Sequence, residues 1–343
     1  MSAARRRALV LAAGYGTRLR PLTEELPKPL LPVLGRTLLA RTLDALAAVG
    51  CEAVAINLHH LPGAIPAALG ERWGAMPLVY SREDPILGTL GAFVPLRSFF
   101  AGCDEVLLVN GDSLCDWPLA ALLARHRRGG TAATILVAGR PDPRAFGGGL
   151  ALDRRGRVTA IRTDRAFGEV HRRYVYAGAY ALRPERLARI PEGAPSDSMS
   201  DLFLPMLAAG GPVLGSLVTW RPWHDLGTPA RYLDGVSDWA RRAGGGTAGW
   251  VSPDASVEAG ARLERSVVEA GARVAGAAEV TGSLLLGGAV VEAGARLERC
   301  LVGPDVTVES GMRLAGQLVT RSSAARLEGT GRGELVLTPL DPV

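Results

Sequence analysis

Between residues 251 and 319 the chain keeps a period of 17, a constraint that few folds can satisfy. Val251, Val268, Leu285, Val302 and Val319 stand at equal steps. Within the steps apolar residues recur six apart: Val251, Val257, Leu263; Val268, Val274, Val280; Leu285, Val291, Leu297; Val302, Val308, Leu314. Glu-Ala-Gly-Ala-Arg occurs at 258–262, 269–273 and 292–296, with Glu309-Ser-Gly-Met-Arg as a variant. Short strands divided by turns of small residues cannot bury an apolar face alone, so successive units must stack. About four coils fit the repeat. From Ser322 the period is lost, and 322–343 reads as a cap or tail.

The first part of the chain has another grammar. Strand-like runs at Ala8–Ala13, Ala53–Asn57, Leu78–Tyr80, Glu105–Asn110 and Ala132–Val137 alternate with helical spacing at Leu38–Val49, Gly63–Leu69, Gly88–Pro95 and Leu119–Arg128. This rhythm predicts an α/β fold, a Rossmann-like, mostly parallel sheet with helices on both faces. Ligands of such sheets bind at the carboxyl ends of the strands, and Gly14 and Gly111 both follow strands. Gly244-Gly245-Gly246 reads as a linker, which divides the chain into 1–243, the repeat at 250–321, and the tail.

Hydrophobic residues at 48% and charged residues at 21% describe a globular chain. No apolar run reaches the roughly 18 residues of a membrane helix. Arg5-Arg6-Arg7 before Ala8–Ala13 imitates a secretory leader, but the apolar stretch runs into glycines and Arg18, as a buried first strand would. Four scattered cysteines, Cys51, Cys103, Cys115 and Cys300, match neither a zinc site nor a disulfide framework, so a reducing cytoplasm is expected. The net charge of +5 includes Arg125-His126-Arg127-Arg128, yet aromatic residues are only 5% and none interleave with basic runs. No nucleic-acid partner is therefore expected. The same field favours small anions.

One lysine, Lys28, stands among 39 basic residues. Arginine presents a wide planar fork, whereas lysine places a point charge on a slim stem. Lys28 follows a glycine-rich turn, Leu11-Ala12-Ala13-Gly14-Tyr15-Gly16-Thr17-Arg18-Leu19-Arg20-Pro21-Leu22-Thr23, within Pro27-Lys28-Pro29-Leu30. A Walker loop would need Gly-Lys-Ser/Thr, which is absent. A dinucleotide fingerprint would need glycine where Leu19 stands and an acidic residue ending the second strand, which ends at Asn57.

The composite turn, Val109-Asn110-Gly111-Asp112, Trp223-His224-Asp225-Leu226-Gly227-Thr228-Pro229 and Leu87-Gly88-Thr89-Leu90-Gly91-Ala92 together resemble the sugar-1-phosphate nucleotidyltransferases, over about Arg7 to Ala240. The repeat resembles the hexapeptide-repeat left-handed β-helix. The resemblance implies transfer of a nucleotidyl group from an NTP to a sugar 1-phosphate, with Mg²⁺ and release of pyrophosphate. It implies nucleotide contacts from Leu11, Ala12, Ala13, Gly14, Gly16, Thr17, Gly88 and Thr89, and sugar contacts from Asn110, Gly147 and Gly178. Catalytic roles fall to Arg18, Lys28 and Asp112, and metal ligation to Asp112 and Asp225. The glycine run at 147–149 gives Gly147 no unique register. Glu83 and Asp84 read equally as base contacts or as ordinary loop. The histidines at 59, 60 and 224 lack zinc spacing and read as structural.

The Glu-Lys-Pro that many relatives place near the sugar is missing from Val158–Asp164. Length and the short β-helix resemble mannose-1-phosphate guanylyltransferases. The turn at Ile86–Gly91 and the missing tripeptide also resemble uridylyltransferases acting on N-acetylmuramate or glucose-type sugars; a thymidylyltransferase is a further alternative. A silent NDP-sugar-binding homologue would show eroded catalytic positions, and these are intact. Acetyl transfer by the repeat is not expected, since no histidine follows His224. Homo-oligomer contacts are expected through the β-helix.

Overall fold

The computed structural model describes residues 4–139, 149–162, 165–210, 214–321 and 335–341. Contacts group the chain into two compact units. One comprises Met1–Tyr15 with Leu39–Trp223, the other Gly16–Leu38 with His224–Val343.

In the first unit the strand Arg6–Leu11 lies at the centre of the sheet, parallel to Ala53–Leu58 on one side and Glu105–Asn110 on the other. Met76–Arg82 extends the parallel part. Ala8, Leu9, Val10, Val106, Leu107 and Val109 are fully buried. Continuous burial of this kind is what a strand covered on both faces requires, and it explains the unbroken apolar runs. Helices supply cover: Leu38–Ala48 buries Leu39, Leu43 and Leu46, a helical stripe. Leu119–Gly129 buries Leu119, Leu122, Leu123 and His126 and ends on left-handed Gly130.

Beyond the parallel centre the sheet becomes mixed. Arg172–Leu182 runs antiparallel to Glu105–Asn110 and to Ala133–Ala138, and the latter is parallel to Leu214–Thr219. An apolar run announces a buried strand but carries no signal of its direction, so this flank was not legible. At the amino end of the centre, Glu105 stands opposite Arg6 and is buried. It accepts from Arg6 Nε (2.8 Å), Arg127 Nε (2.6 Å) and Arg127 Nη2 (2.8 Å). Burial would raise the carboxyl pKa; the bonds from Arg127 and Arg6 outweigh it and hold the group below the usual carboxylate range.

The second unit contains the repeat, wound as a parallel β-helix of three sheets. Each rung pairs with the next 17 residues on: Val251 with Val268, Leu285, Val302 and Val319 in turn. Val257, Val274, Val291 and Val308 form a second column, and Leu263, Val280, Leu297 and Leu314 a third. Valine, leucine and fully buried alanines (Ala272, Ala278, Ala289, Ala295) fill the interior. Most corners turn on one residue of positive φ, again at the repeat period. Gly260, Ala277, Gly294 and Gly311 make one such column, and Arg265, Gly282, Arg299 and Gly316 another. The helix Pro229–Arg242, capped by the Thr228 side chain, packs on the first rungs. Arg299 donates to Asp234 of that helix (2.6 Å). After the last rung, Leu335–Pro339 pairs antiparallel with Gln317–Arg321, so the described part of the tail covers an otherwise open sheet edge.

Two stability tests follow from these features. Ala277→Gly should raise unfolding free energy by about 0.5–1 kcal/mol, because glycine relieves the left-handed strain, and Gly294→Ala should lower it by about 1 kcal/mol. Chaotrope midpoints that move in neither variant would remove the corner argument. Glu105→Gln should destabilise by about 2 kcal/mol at neutral pH. A depressed folded pKa gives stability that is fully present above the unfolded value of about 4.3 and lost as pH falls through the folded pKa. Wild type and variant should therefore converge in acid, read from unfolding curves between neutral pH and about pH 2.

Candidate active site

Leu11 is paired across the sheet with Asn57 on one side and Asn110 on the other, at the carboxyl ends of three parallel strands. These are the only asparagines in the chain. Asn57 Oδ1 accepts from Ala12 N–H (2.7 Å) and its amide donates to Glu83 Oε1 (2.9 Å). Glu83 Oε2 accepts from Leu87 N–H (2.8 Å), and the residue is buried. The Asn57–Glu83 bridge thus fixes the start of the glycine-rich turn and the start of the Leu87–Gly91 turn together. Sequence reasoning missed this role, although the pairing of Asn57 with the turn was foreshadowed by its place at the second strand's end. Both carboxylate oxygens serve the framework.

The Leu87–Gly91 turn is itself tightly held. Gly88 has φ +81, and a Cβ there would lie 2.4 Å from Ser196 O. Thr89 Oγ1 donates to Asp197 Oδ2 (3.0 Å) and accepts from Ser198 N–H (2.8 Å). Gly111 N–H donates to Leu11 O (2.9 Å), and a Cβ on Gly111 would lie 3.0 Å from that oxygen. Only glycine packs so closely there, and the half-buried Asp112 follows it. Gly178 occupies the irregularity between Tyr176 and Tyr180, with a notional Cβ 3.2 Å from Asn110 Cβ. Tyr176 Oη is buried without a hydrogen-bond partner among the described residues. Its pKa is driven well up by burial first, with Tyr180, Asp197 and Asp112 adding to the rise. Gly147 lies outside the described residues. His59 Nδ1–H donates to Glu83 O (2.8 Å), so its Nε2 accepts from Tyr15 Oη (2.7 Å) in the neutral ring.

The second unit carries the rest of the motif. Gly16 has φ +62, and a Cβ there would lie 3.0 Å from Thr23 Cγ2; Thr23 Oγ1 donates to Gly16 O (2.8 Å). Lys28 opens a single turn, Lys28–Leu30, and is only 7% exposed. Its Nζ is 3.8 Å from Asp225 Oδ1, while Arg231 Nη1 donates to Asp225 Oδ2 (2.8 Å). A Cβ on Gly227 would lie 2.9 Å from Arg18 Nη2 and 3.0 Å from Asp225 Oδ1. Arg18, Lys28, Arg231 and Asp225 therefore gather around Gly227. Three basic side chains brought together in this way suit a polyanion. His224 Nε2 lies 3.0 Å from Asp238 Oδ2, consistent with a structural role. Among the described residues no three His, Cys, Asp or Glu side chains gather as a metal cluster.

A mostly parallel sheet with a glycine-rich turn after its central strand is the framework of a nucleotide-handling transferase. The chain belongs to the nucleotidyl transferase family, whose model matches residues 7–242; a GlmU-like C-terminal hexapeptide model matches 228–330. It is 32% identical over 285 residues to a mannose-1-phosphate guanylyltransferase of Mycobacterium tuberculosis, covering 83% of this chain and 74% of that one. It is 29% identical over 243 residues to a UTP–glucose-1-phosphate uridylyltransferase of Synechocystis sp., covering 67% of this chain and 62% of that one. A crystal structure of HddC from Yersinia pseudotuberculosis shares the fold, with a TM-score of 0.55 at 21% identity, over 68% of this chain and 99% of that one.

Gly14 and Gly16 part company in this geometry. Among the described residues a Cβ on Gly14 meets no atom within 4 Å, and its φ is ordinary. Gly14→Ala should leave the unfolding midpoint in place, whereas Gly16→Ala should lower stability by about 1–2 kcal/mol through left-handed strain. Equal losses at both positions would show that Gly14, too, is a packing glycine.

Proposed function

We propose that the chain transfers a nucleotidyl group from an NTP to a sugar 1-phosphate, and that its substrates are GTP and mannose 1-phosphate. The observation carrying the reaction class is the buried Lys28 beside Asp225, with Arg18 at the same glycine. The choice of substrates rests on the relative matched over 83% of the chain, a mannose-1-phosphate guanylyltransferase, whereas the uridylyltransferase matches 67% of it. UTP with glucose 1-phosphate is the second reading, favoured by that uridylyltransferase match.

An oxygen of the sugar phosphate attacks the α-phosphorus in line, and the bond to the leaving pyrophosphate breaks. No covalent enzyme intermediate is needed, so catalysis consists of positioning and charge neutralisation. Gly14, exposed and without a neighbour, lets the backbone N–H groups of the turn approach phosphate closely. Arg18 neutralises the leaving pyrophosphate, and Lys28 holds the α-phosphate and the attacking phosphate. Leu11, Ala12, Ala13, Gly16, Thr17, Gly88 and Thr89 frame the nucleotide. Asn110 and Gly178 face the sugar.

Two carboxylates, Asp112 and Asp225, suit Mg²⁺, which takes few protein ligands and keeps waters and substrate phosphates. Mg²⁺ would offset charge on the phosphate oxygens. The four cysteines are unpaired and buried, compatible with a reducing cytoplasm, and no described helix is long and apolar enough to cross a membrane. Self-association through the outer β-helix faces completes the proposal.

Pyrophosphate release should be measured across NTP and sugar 1-phosphate pairs with Mg²⁺. GTP with mannose 1-phosphate should give the highest kcat/KM, and silence with every pair rejects the reaction class. Lys28→Arg should fold normally and lose about 100-fold or more in kcat, since the fork misplaces the charge. Wild-type rates in that variant would make the single lysine an accident of composition.

A further inference from the structure

Glu269 lies on the second rung of the β-helix and is 2% exposed. Its two oxygens accept from consecutive backbone amides, Leu34 N–H to Oε1 and Gly35 N–H to Oε2, each at 2.8 Å. Leu34 (φ 51) and Gly35 (φ 75) form the tight two-residue turn between the strands Pro32–Val33 and Arg36–Thr37. Tyr232 Oη donates to Pro32 O (2.6 Å), and a Cβ on Gly35 would lie 3.6 Å from the Trp250 ring. Three side chains from the carboxyl-terminal part of the chain therefore grip one short hairpin. That hairpin follows Lys28 directly: Leu31 N–H donates to Lys28 O (3.0 Å), and Leu38 N–H to Leu31 O (3.1 Å). All of these residues belong to the same compact unit.

We propose that Glu269 is a positioning residue for Lys28, so that the β-helix sets the geometry of nucleotidyl transfer by clamping the Leu34–Gly35 turn. The proposal rests on the catalytic role given to Lys28 above. Two backbone N–H groups satisfy a buried carboxylate at both oxygens. Glutamine keeps the volume but turns an NH₂ against one of the two amides, leaving a donor without an acceptor. Alanine releases both. In either variant the turn loosens and the lysine four residues before the hairpin loses its fixed place. Misplacement on the scale of an ångström lowers kcat steeply, whereas nucleotide affinity is set mainly by the glycine-rich turn.

The test uses the full chain. In Glu269→Ala and Glu269→Gln, hydrogen exchange at the Leu34 and Gly35 amides should accelerate, kcat should fall about 10- to 100-fold, and the KM for NTP should stay within about threefold. Lys28→Ala supplies the second arm. If Glu269 acts through Lys28, then Glu269→Ala in the Lys28→Ala background should change the residual rate by less than about twofold. A role only in folding would instead give full additivity, and that result overturns the proposal. Unchanged amide exchange overturns it as well. If the unmodified chain turns over no substrate pair, the nucleotidyl-transfer reading fails together with the catalytic part of this one. Amide exchange then still decides whether Glu269 holds the turn.

Discussion

The in-register row Asn57–Leu11–Asn110 is the constraint on which the first unit depends. In a parallel sheet, aligned strand ends expose their amides and carbonyls together, and something must satisfy them. Here Asn57 takes up the Ala12 amide, Leu11 O takes up the Gly111 amide, and Glu83 carries the first of these restraints on to Leu87. A slip of one residue between strands would break this set of bonds and reverse every side chain on the central strand. The same row orders the glycine-rich turn, the Leu87–Gly91 turn and Asp112. Register is thus the first determinant of the site, ahead of any single catalytic side chain.

Legibility in the sequence followed the physics of each element. The β-helix columns could be read residue by residue, because stacking ties each apolar position to the next rung. The parallel centre could be read because burial on both faces forces continuous apolar runs. The antiparallel Arg172–Leu182 could not, since direction leaves no mark on composition. The closeness of Lys28 to Asp225, nearly 200 residues apart, also had no local signal. Glu269 was visible only as one member of a repeat. The same Glu-Ala-Gly-Ala-Arg pentapeptide recurs on another face of the coil, where Glu258 and Glu292, 34 residues apart, accept from Gly276 and Ser310, while Glu269 follows the Val268 column and faces the hairpin. The shared pentapeptide gave no sign that its copies stand on different faces of the coil.

The electrostatics separate framework from chemistry. At Glu105 two arginines meet one carboxylate with short, well-aligned bonds, and the carboxyl is held below the ordinary range. Such an arrangement is closed: each oxygen has its donors, and the charge is offset within the protein. Around Gly227 the balance differs. Arg18, Lys28 and Arg231 face one carboxylate, and the Lys28 contact, at 3.8 Å, exceeds hydrogen-bond length. A buried ammonium is tolerated only where compensation exists, and Asp225 supplies part of it.

The choice of lysine at position 28 follows from this crowding. Asp225 already shares a short bond with Arg231, and the Arg18 guanidinium occupies the space that Gly227 leaves free. A third planar fork in the same volume would need to displace one of the others or swing Asp225 away. An ammonium is compact and donates in three directions without a preferred plane. The hairpin that follows Lys28 is clamped by Glu269, Tyr232 and Trp250. In the role proposed for Lys28, a slim, flexible side chain on a rigid base would reach two phosphates in turn with little backbone movement. On that reading, rigidity in the hairpin and slenderness in the side chain are complementary, and side chains of the second unit hold the hairpin.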